Sequence, residues 1–259
     1  MQLNTFYNIN CLEAIPQLQD NSIDFVLTSP PYFNSGKKYQ RKKGIHYDRD
    51  VGEVLYVIID CFELLYPKLK ENSFIALNLG FSLGESGVLR PFRIVERICQ
   101  KLGYFCVDRW VWHKLNPVPI QQRPTNSIED VFILSKHPHT NIPDSENFPY
   151  THNFFECAVV NKIAGLEDEK EIPPSFPEAF ATKFIEVYSK IGDVVLDPFA
   201  GTGTTGISAM LSGRNTIGFE LSPKFYLQSI KRLKYHNLDS GINFTNKNIK
   251  TSGLRNKNL

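Results

Sequence analysis

Residues 28 to 32, Thr-Ser-Pro-Pro-Tyr, set a hydroxyl, two rigid rings and a flat aromatic in consecutive positions. The Ser29 hydroxyl oxygen and the Pro30 carbonyl are hydrogen-bond acceptors, while Pro30 and Pro31 stiffen the loop and remove competing backbone donors. Two acceptors held toward one point suit an amine that is a poor nucleophile because its lone pair is delocalised into a ring. Accepting the amine's hydrogens draws that pair out, so serine need not ionise and no metal is required. Tyr32 adds a face on which a planar ring can stack, with Phe33 as padding.

A second constellation lies far downstream. Asp197-Pro-Phe-Ala-Gly-Thr-Gly-Thr-Thr205 follows an apolar run, and Glu220 comes 19 positions after Gly201. Gly201 and Gly203 let backbone approach a ligand, and an acid at that distance, ending the next strand, can accept from both hydroxyls of a ribose. The ligand is read as an adenosine derivative. The loop lacks the Lys-Ser/Thr ending of a phosphate-binding loop, and Gly206 falls out of register with a dinucleotide fingerprint. An adenosine ligand without phosphates follows.

The elements that must carry these loops are visible as periodicities. IDFVL (23–27) is a buried strand delivered into the proline loop, 51–66 has helical spacing, and SFIALNL (73–79) is another buried strand. A helix over 91–101 closes at Gly103. YFCVDRWVWHK and DVFILSK then read as two strands of an antiparallel edge, with Trp110 and Trp112 in the core. From 136 to 172 no period persists, which predicts an irregular insertion. SFPEAFATKFIEVYSKIG is a helix with Pro177 in its first turn and Gly192 at its stop. DVVLD, a short helix from GISAMLSG, the strand RNTIGFE and a helix begun by Ser222 and Pro223 complete a βαβ rhythm.

Length and composition bound the rest. The 259 residues, 42% hydrophobic and 22% charged, suit one α/β catalytic body with insertions. No apolar run nears the roughly 20 residues of a membrane span and no secretion signal opens the chain, so a soluble, cytoplasmic protein is expected. The five cysteines are scattered without a CxxC pair, which argues against a disulfide framework and a zinc site and predicts buried, reduced thiols. Net charge is only +2, but Lys37, Lys38, Arg41, Lys42 and Lys43 crowd one segment without an acid. That segment is either a solvated loop or a grip on phosphates.

DPFAGTGTT (197–205) resembles the S-adenosylmethionine motif of amino-methylating DNA methyltransferases, and TSPPY (28–32) resembles their catalytic motif. Their order, catalytic motif first, resembles the β-class, in which the target-recognition region lies between the two. The likeness covers roughly residues 3 to 235, including FPEAF and IGFE. It implies a Rossmann-like methyltransferase fold: a mainly parallel seven-stranded sheet with helices on both faces, plus a small inserted target-recognition region at 115–172.

The resemblance also distributes roles. Asp197, Phe199, Gly201, Gly203 and Thr204 would hold the methionine side of S-adenosylmethionine, Glu220 its ribose, and Phe176 to Glu178 another part of that pocket. Where the family carries an acid that recognises adenine's amine, before CLEAL-like residues, this chain has Asn10, whose carboxamide oxygen can accept the same bond. Asn10 is grouped with the cofactor-binding residues or read as a loop cap. Ser29, Pro30, Pro31 and Tyr32 form the catalytic set, Tyr32 stacking on a base turned out of the duplex. Members with Ser-Pro-Pro-Tyr more often methylate cytosine-N4, and those with Asp-Pro-Pro-Tyr adenine-N6, so cytosine in double-stranded DNA is expected, with adenine as the alternative.

The basic loop at 34–50 would neutralise phosphates without reading sequence. Base-edge contacts are expected from the insertion, where Gln121, Gln122, Arg123, Asn126 and His152 are candidates and His113 and Lys114 are open. A restriction endonuclease acting on the same site is a candidate partner, and the protein is expected to be a monomer or homodimer. Rival readings are a catalytically silent nucleic-acid-binding module and methylation of RNA or protein.

Overall fold

The computed structural model describes residues 1–31, 51–80, 90–117, 119, 124–139, 141–143, 152–159, 162–238 and 243–246. Tyr32, Phe33, the basic residues Lys37, Lys38, Arg41, Lys42 and Lys43, and Gln121, Gln122 and Arg123 lie outside the described residues. The apolar runs become strands because a parallel sheet covered on both faces needs continuous rather than alternating hydrophobicity. In chain order the elements are β1 (Thr5–Asn8), α1 (Cys11–Ala14), β2 (Ile23–Thr28), α2 (Val51–Leu65), β3 (Leu69–Gly80), α3 (Arg90–Leu102), β4 (Phe105–Lys114) and β5 (Ile128–Ser135). There follow β6 (Phe154–Cys157), α4 (Glu178–Tyr188), β7 (Val194–Asp197), α5 (Thr204–Leu211), β8 (Asn215–Glu220), α6 (Pro223–Tyr235) and β9 (Asn243–Asn246).

Among the described residues these strands form one nine-stranded sheet, ordered β6-β4-β5-β3-β2-β7-β8-β1-β9. Only β5 runs against the rest, pairing antiparallel with β3 and β4. The expected mainly parallel architecture holds, with two more strands than seven. Side-chain alternation splits the core: Val26, Ile75, Leu77 and Leu196 pack with α1, α2 and α3. Phe25, Leu27, Phe74, Ala76 and Val195 pack on the other face with Phe180, Phe184 and Tyr188 of α4. Each fully buried side chain of this kind contributes roughly 1.5–3 kcal/mol of transfer free energy.

The chain moves outward from β2 to β3 in one direction and from β7 to β8 in the other, so the strand order reverses between β2 and β7. Ligands bind open α/β sheets at that switch point, outside the carboxyl ends of the strands. The proline loop and the glycine loop leave these two neighbouring strands there.

Three strands were not expected. β1 and β9 are four residues each, too brief to show a period, and β1 becomes a strand by pairing in parallel with β8 and β9. The insertion is not wholly irregular, because β6 adds itself in parallel to the exposed edge of β4 through Val111–Lys114. The antiparallel pair itself is as read, and both tryptophans are buried. All five cysteines are free thiols, but only Cys11 and Cys61 are buried; Cys106 is exposed.

Gly206, out of register for a nucleotide fingerprint, has a packing reason: a Cβ there would lie 2.3 Å from Cζ of the buried Phe6 ring on β1. It is what lets α5 lie close on the sheet. Gly206→Ala should therefore lower unfolding free energy by about 1–3 kcal/mol, the usual range for overpacking, read by urea denaturation.

Candidate active site

β2 ends in Thr28, and the next residues are the half-buried Ser29, buried Pro30 and half-buried Pro31. β7 ends in Asp197, whose carboxylate is buried against the end of β2. Its Oδ1 accepts the Thr28 hydroxyl at 2.7 Å and the Phe199 amide at 3.0 Å, and Oδ2 accepts the Thr205 hydroxyl at 2.8 Å. Burial pushes this carboxyl up to about 6, against the pull of those three donors. Asp197 thus faces inward and holds the glycine loop from behind. Thr28 and Thr205 are functional partners the sequence reading passed over, although a hydroxyl closing an apolar strand was a signal.

The loop itself turns on two left-handed residues, Gly201 at φ +54° and Gly203 at φ +84°. A Cβ at Gly203 would meet Phe6 and Ser229 at 3.0 Å, whereas one at Gly201 would meet nothing closer than the Phe199 carbonyl at 4.0 Å. Gly203 is therefore packed tight and Gly201 borders open space, with half-buried Phe199 beside it. Glu220, at the end of β8, accepts the Gly201 amide at 2.8 Å through Oε2 and the Ser222 amide at 2.7 Å through Oε1. Burial again dominates, lifting its carboxyl to about 7, with the backbone bonds opposing and Asp197 adding to the rise.

Behind the loop stands a residue no motif named. Arg232 of α6 is buried, and its Nη1 donates to the Thr202 carbonyl and hydroxyl, each at 3.1 Å, and to the Thr204 hydroxyl at 2.7 Å. Its Nη2 pairs with Glu178, the acid of FPEAF. Thr204 is accordingly a buried prop, engaged by Arg232. Phe176 is buried and stacks on Phe180 with centroids 4.8 Å apart.

Asn10 caps α1, its carboxamide oxygen accepting the Leu12 amide at 3.0 Å. This is the loop-cap arrangement, and it engages the oxygen that the resemblance offered to a base amine. Asn126 likewise turns its oxygen to the Ile128 amide at 3.4 Å. His152 is exposed, and His113 pairs with Glu156 at 2.8 Å across the β4–β6 edge.

The site fits an adenosine ligand without phosphates. Glu220 sets a carboxylate beside Gly201, a Cβ at Gly201 would meet nothing nearer than 4.0 Å among the described residues, and the Arg232 guanidinium is engaged by Thr202, Thr204 and Glu178. Among the described residues no group of three or more His, Cys, Asp or Glu side chains is arranged to hold a metal. No described helix is long and apolar enough to cross a membrane.

The family model for N6/N4 DNA methylases matches residues 23–231, from the start of β2 to within α6. The chain belongs to this DNA methylase family. As an N6/N4 DNA methylase it uses S-adenosylmethionine to methylate an exocyclic base amine. It is 31% identical over 251 residues to Type II methyltransferase M.HinfI of Haemophilus influenzae, covering 90% of this chain and 68% of that one. Its fold is that of the PvuII DNA methyltransferase (cytosine-N4-specific), with a TM-score of 0.75 at 21% identity, covering 93% of this chain and 95% of that chain. A Thermus thermophilus protein described as a putative DNA modification methylase, solved with S-adenosyl-L-methionine, superposes with a TM-score of 0.67 at 23% identity, covering 93% of this chain and 99% of that chain.

In this methylase the Arg232 clamp should prove expensive to remove. Arg232→Met takes a donor from two threonine hydroxyls, a carbonyl and the partly exposed Glu178 carboxylate, which keeps His236 at 3.2 Å. A loss of about 3 kcal/mol in unfolding free energy is expected, the low end for a broken buried pair, measured by denaturant titration.

Proposed function

We propose that this protein methylates the N4 amine of cytosine in double-stranded DNA, with the target base turned out of the duplex. The observation that carries the reading is the placement of Ser29. It follows Thr28, whose hydroxyl is bonded to the same carboxylate that shapes the glycine loop, so amine acceptor and methyl-donor site are held on adjacent strand ends. Cytosine rather than adenine rests on serine leading the proline pair, and the PvuII enzyme, named as cytosine-N4-specific, has the same fold.

When bound, S-adenosylmethionine supplies an electrophilic sulfonium methyl. Glu220 would accept from the ribose hydroxyls, and Phe199 and Gly201 would border the methionine side. The Ser29 oxygen and the Pro30 carbonyl accept the two amine hydrogens and turn the nitrogen lone pair out of the ring plane. Tyr32 stacks on the extruded base. The new N–C bond would form as the sulfur–methyl bond breaks, leaving a neutral thioether, and the surplus amine proton then leaves to solvent. Lys37, Lys38, Arg41, Lys42 and Lys43 hold flanking phosphates, and recognition of sequence falls to the 115–172 region. Similarity to a Type II methyltransferase supports pairing with an endonuclease at the same site.

Nucleoside mass spectrometry of unmethylated genomic DNA incubated with the protein and methyl-labelled cofactor tests the base. N4-methylcytosine is expected; N6-methyladenine would keep the chemistry and overturn the substrate. Ser29→Ala should cut turnover on the order of 100-fold while cofactor affinity stays within a factor of two, since the lost acceptor acts on the amine alone.

Cofactor affinity should also depend on pH. Glu220 accepts both ribose hydroxyls best when ionised, because protonation turns one of its two oxygens into a donor, and its carboxyl sits at about 7 in the free protein. Below that value tight binding releases a proton, so the dissociation constant rises by up to about tenfold per pH unit as pH falls, and levels off above it. Calorimetric titration from pH 5.5 to 8.5 would show the slope, and Glu220→Gln would flatten it. For the basic loop, replacing two of the five cations with Gln should lower the slope of log K against log salt by about 0.9 for each phosphate no longer neutralised, with little change in sequence preference.

A further inference from the structure

β3 is buried almost throughout its second half, yet the run Phe74–Leu79 contains Asn78, which is as buried as its apolar neighbours. A buried carboxamide costs free energy unless it is hydrogen-bonded, and an apolar residue would serve the core more cheaply. Its partners show where it points. Asn78 Nδ2 donates to Glu129 Oε2 at 2.9 Å and reaches Ser29 Oγ at 3.5 Å. Glu129, also buried, stands at the start of β5, where it pairs with Gly80 of β3 and Trp112 of β4. Its Oε1 takes the ammonium of Lys114, the last residue of β4.

Three strand ends thus contribute one polar chain, Lys114–Glu129–Asn78, that reaches Ser29. An ion pair with both side chains largely withdrawn from water is a poor device for stability alone, because desolvation cancels much of the attraction. We propose that Asn78, anchored by the Glu129–Lys114 pair, is a positioning residue that fixes the rotamer of Ser29. The inference rests on the reading of Ser29 as the amine acceptor.

The chemistry follows from the hydrogens on one nitrogen. The carboxylate of Glu129 takes one Nδ2 hydrogen in a charge-assisted bond, which fixes the plane of the carboxamide. The second hydrogen then lies toward Ser29 Oγ and occupies one of its two lone pairs. That contact holds the Ser29 hydroxyl in one orientation, so the incoming amine meets a directed acceptor instead of a freely rotating hydroxyl. The same chain of contacts ties the catalytic loop to β3, β4 and β5 on the side away from Asp197.

A double-mutant cycle on single-turnover rate, at saturating DNA and cofactor, tests this. Asn78→Ala should slow methyl transfer about tenfold, the scale of a displaced reacting group. Cofactor affinity and the Michaelis constant for DNA should stay within twofold. In the Ser29→Ala background the same change should have almost no further effect, because its only route to the reaction is gone. A double variant slower than Ser29→Ala by the full single-variant factor would show an independent structural effect and overturn the inference, as would an Asn78→Ala enzyme of normal rate. If Ser29→Ala alone left the rate intact, the reading of Ser29 as acceptor would fall first and this inference with it. Glu129→Gln, which keeps volume while loosening the anchor, runs through the same cycle with the same expected non-additivity and serves if Asn78→Ala does not fold.

Discussion

The buried carboxylate of Asp197 is the constraint on which the site depends. Registered pairing between β2 and β7 covers Phe25–Val195 and Val26–Leu196, short of the last residues of either strand. From there the strand ends are joined by side chains, through the Thr28 hydroxyl on one side and the Thr205 hydroxyl and Phe199 amide on the other. The strands can therefore part to open a crevice while their ends stay in fixed relation. Methyl transfer needs reacting atoms held about 3–3.5 Å apart and aligned, so a rigid link between the amine-binding loop and the cofactor loop is what the reaction demands of the fold.

Around the glycine loop, charge is divided by direction. Glu220 takes the Gly201 and Ser222 amides and, being desolvated, carries its charge reluctantly. Arg232 of α6 supports the opposite side, satisfying Thr202 and Thr204 and pairing with Glu178, the first residue of α4. This leaves acceptor character facing the ligand and donor character facing the protein. A sulfonium cofactor with ribose hydroxyls suits that polarity, and a pyrophosphate would not.

Polar groups are gathered where the strands end. Asn8, Glu220, Asp197, Thr28, Asn78 and Glu129 are carried by strands β1, β8, β7, β2, β3 and β5 on the carboxyl edge of the parallel sheet, beside apolar runs such as Phe25–Leu27 and Phe74–Leu77. Asn8 itself binds the Glu220 carbonyl at 2.8 Å and so helps set the end of β8. The edge works as one surface because the sheet behind it is packed on both faces and cannot shift one strand end without the next.

Much of this was legible in the chain itself. IDFVL and DVVLD are apolar runs stopped by proline and glycine loops, and such runs specify buried strands and sharp exits through short-range sterics alone. The loops' chemistry, with acceptors after β2 and glycines followed by Glu220 after β7, could be read the same way. Which way Asp197 faces could not, since its donor Thr28 lies 169 residues away in sequence. Arg232 sits in an ordinary helical pattern and becomes a clamp only when α6 docks under the loop. Asn78, Glu129 and Lys114 look unremarkable singly, and β1 and β6 are too short to announce themselves. The sequence by itself determined the elements and the two reactive loops, because those follow from local periodicity and backbone restriction. Tertiary structure decided which polar side chains orient them, because a buried polar group takes its role from partners that only strand order and helix docking bring within hydrogen-bonding distance.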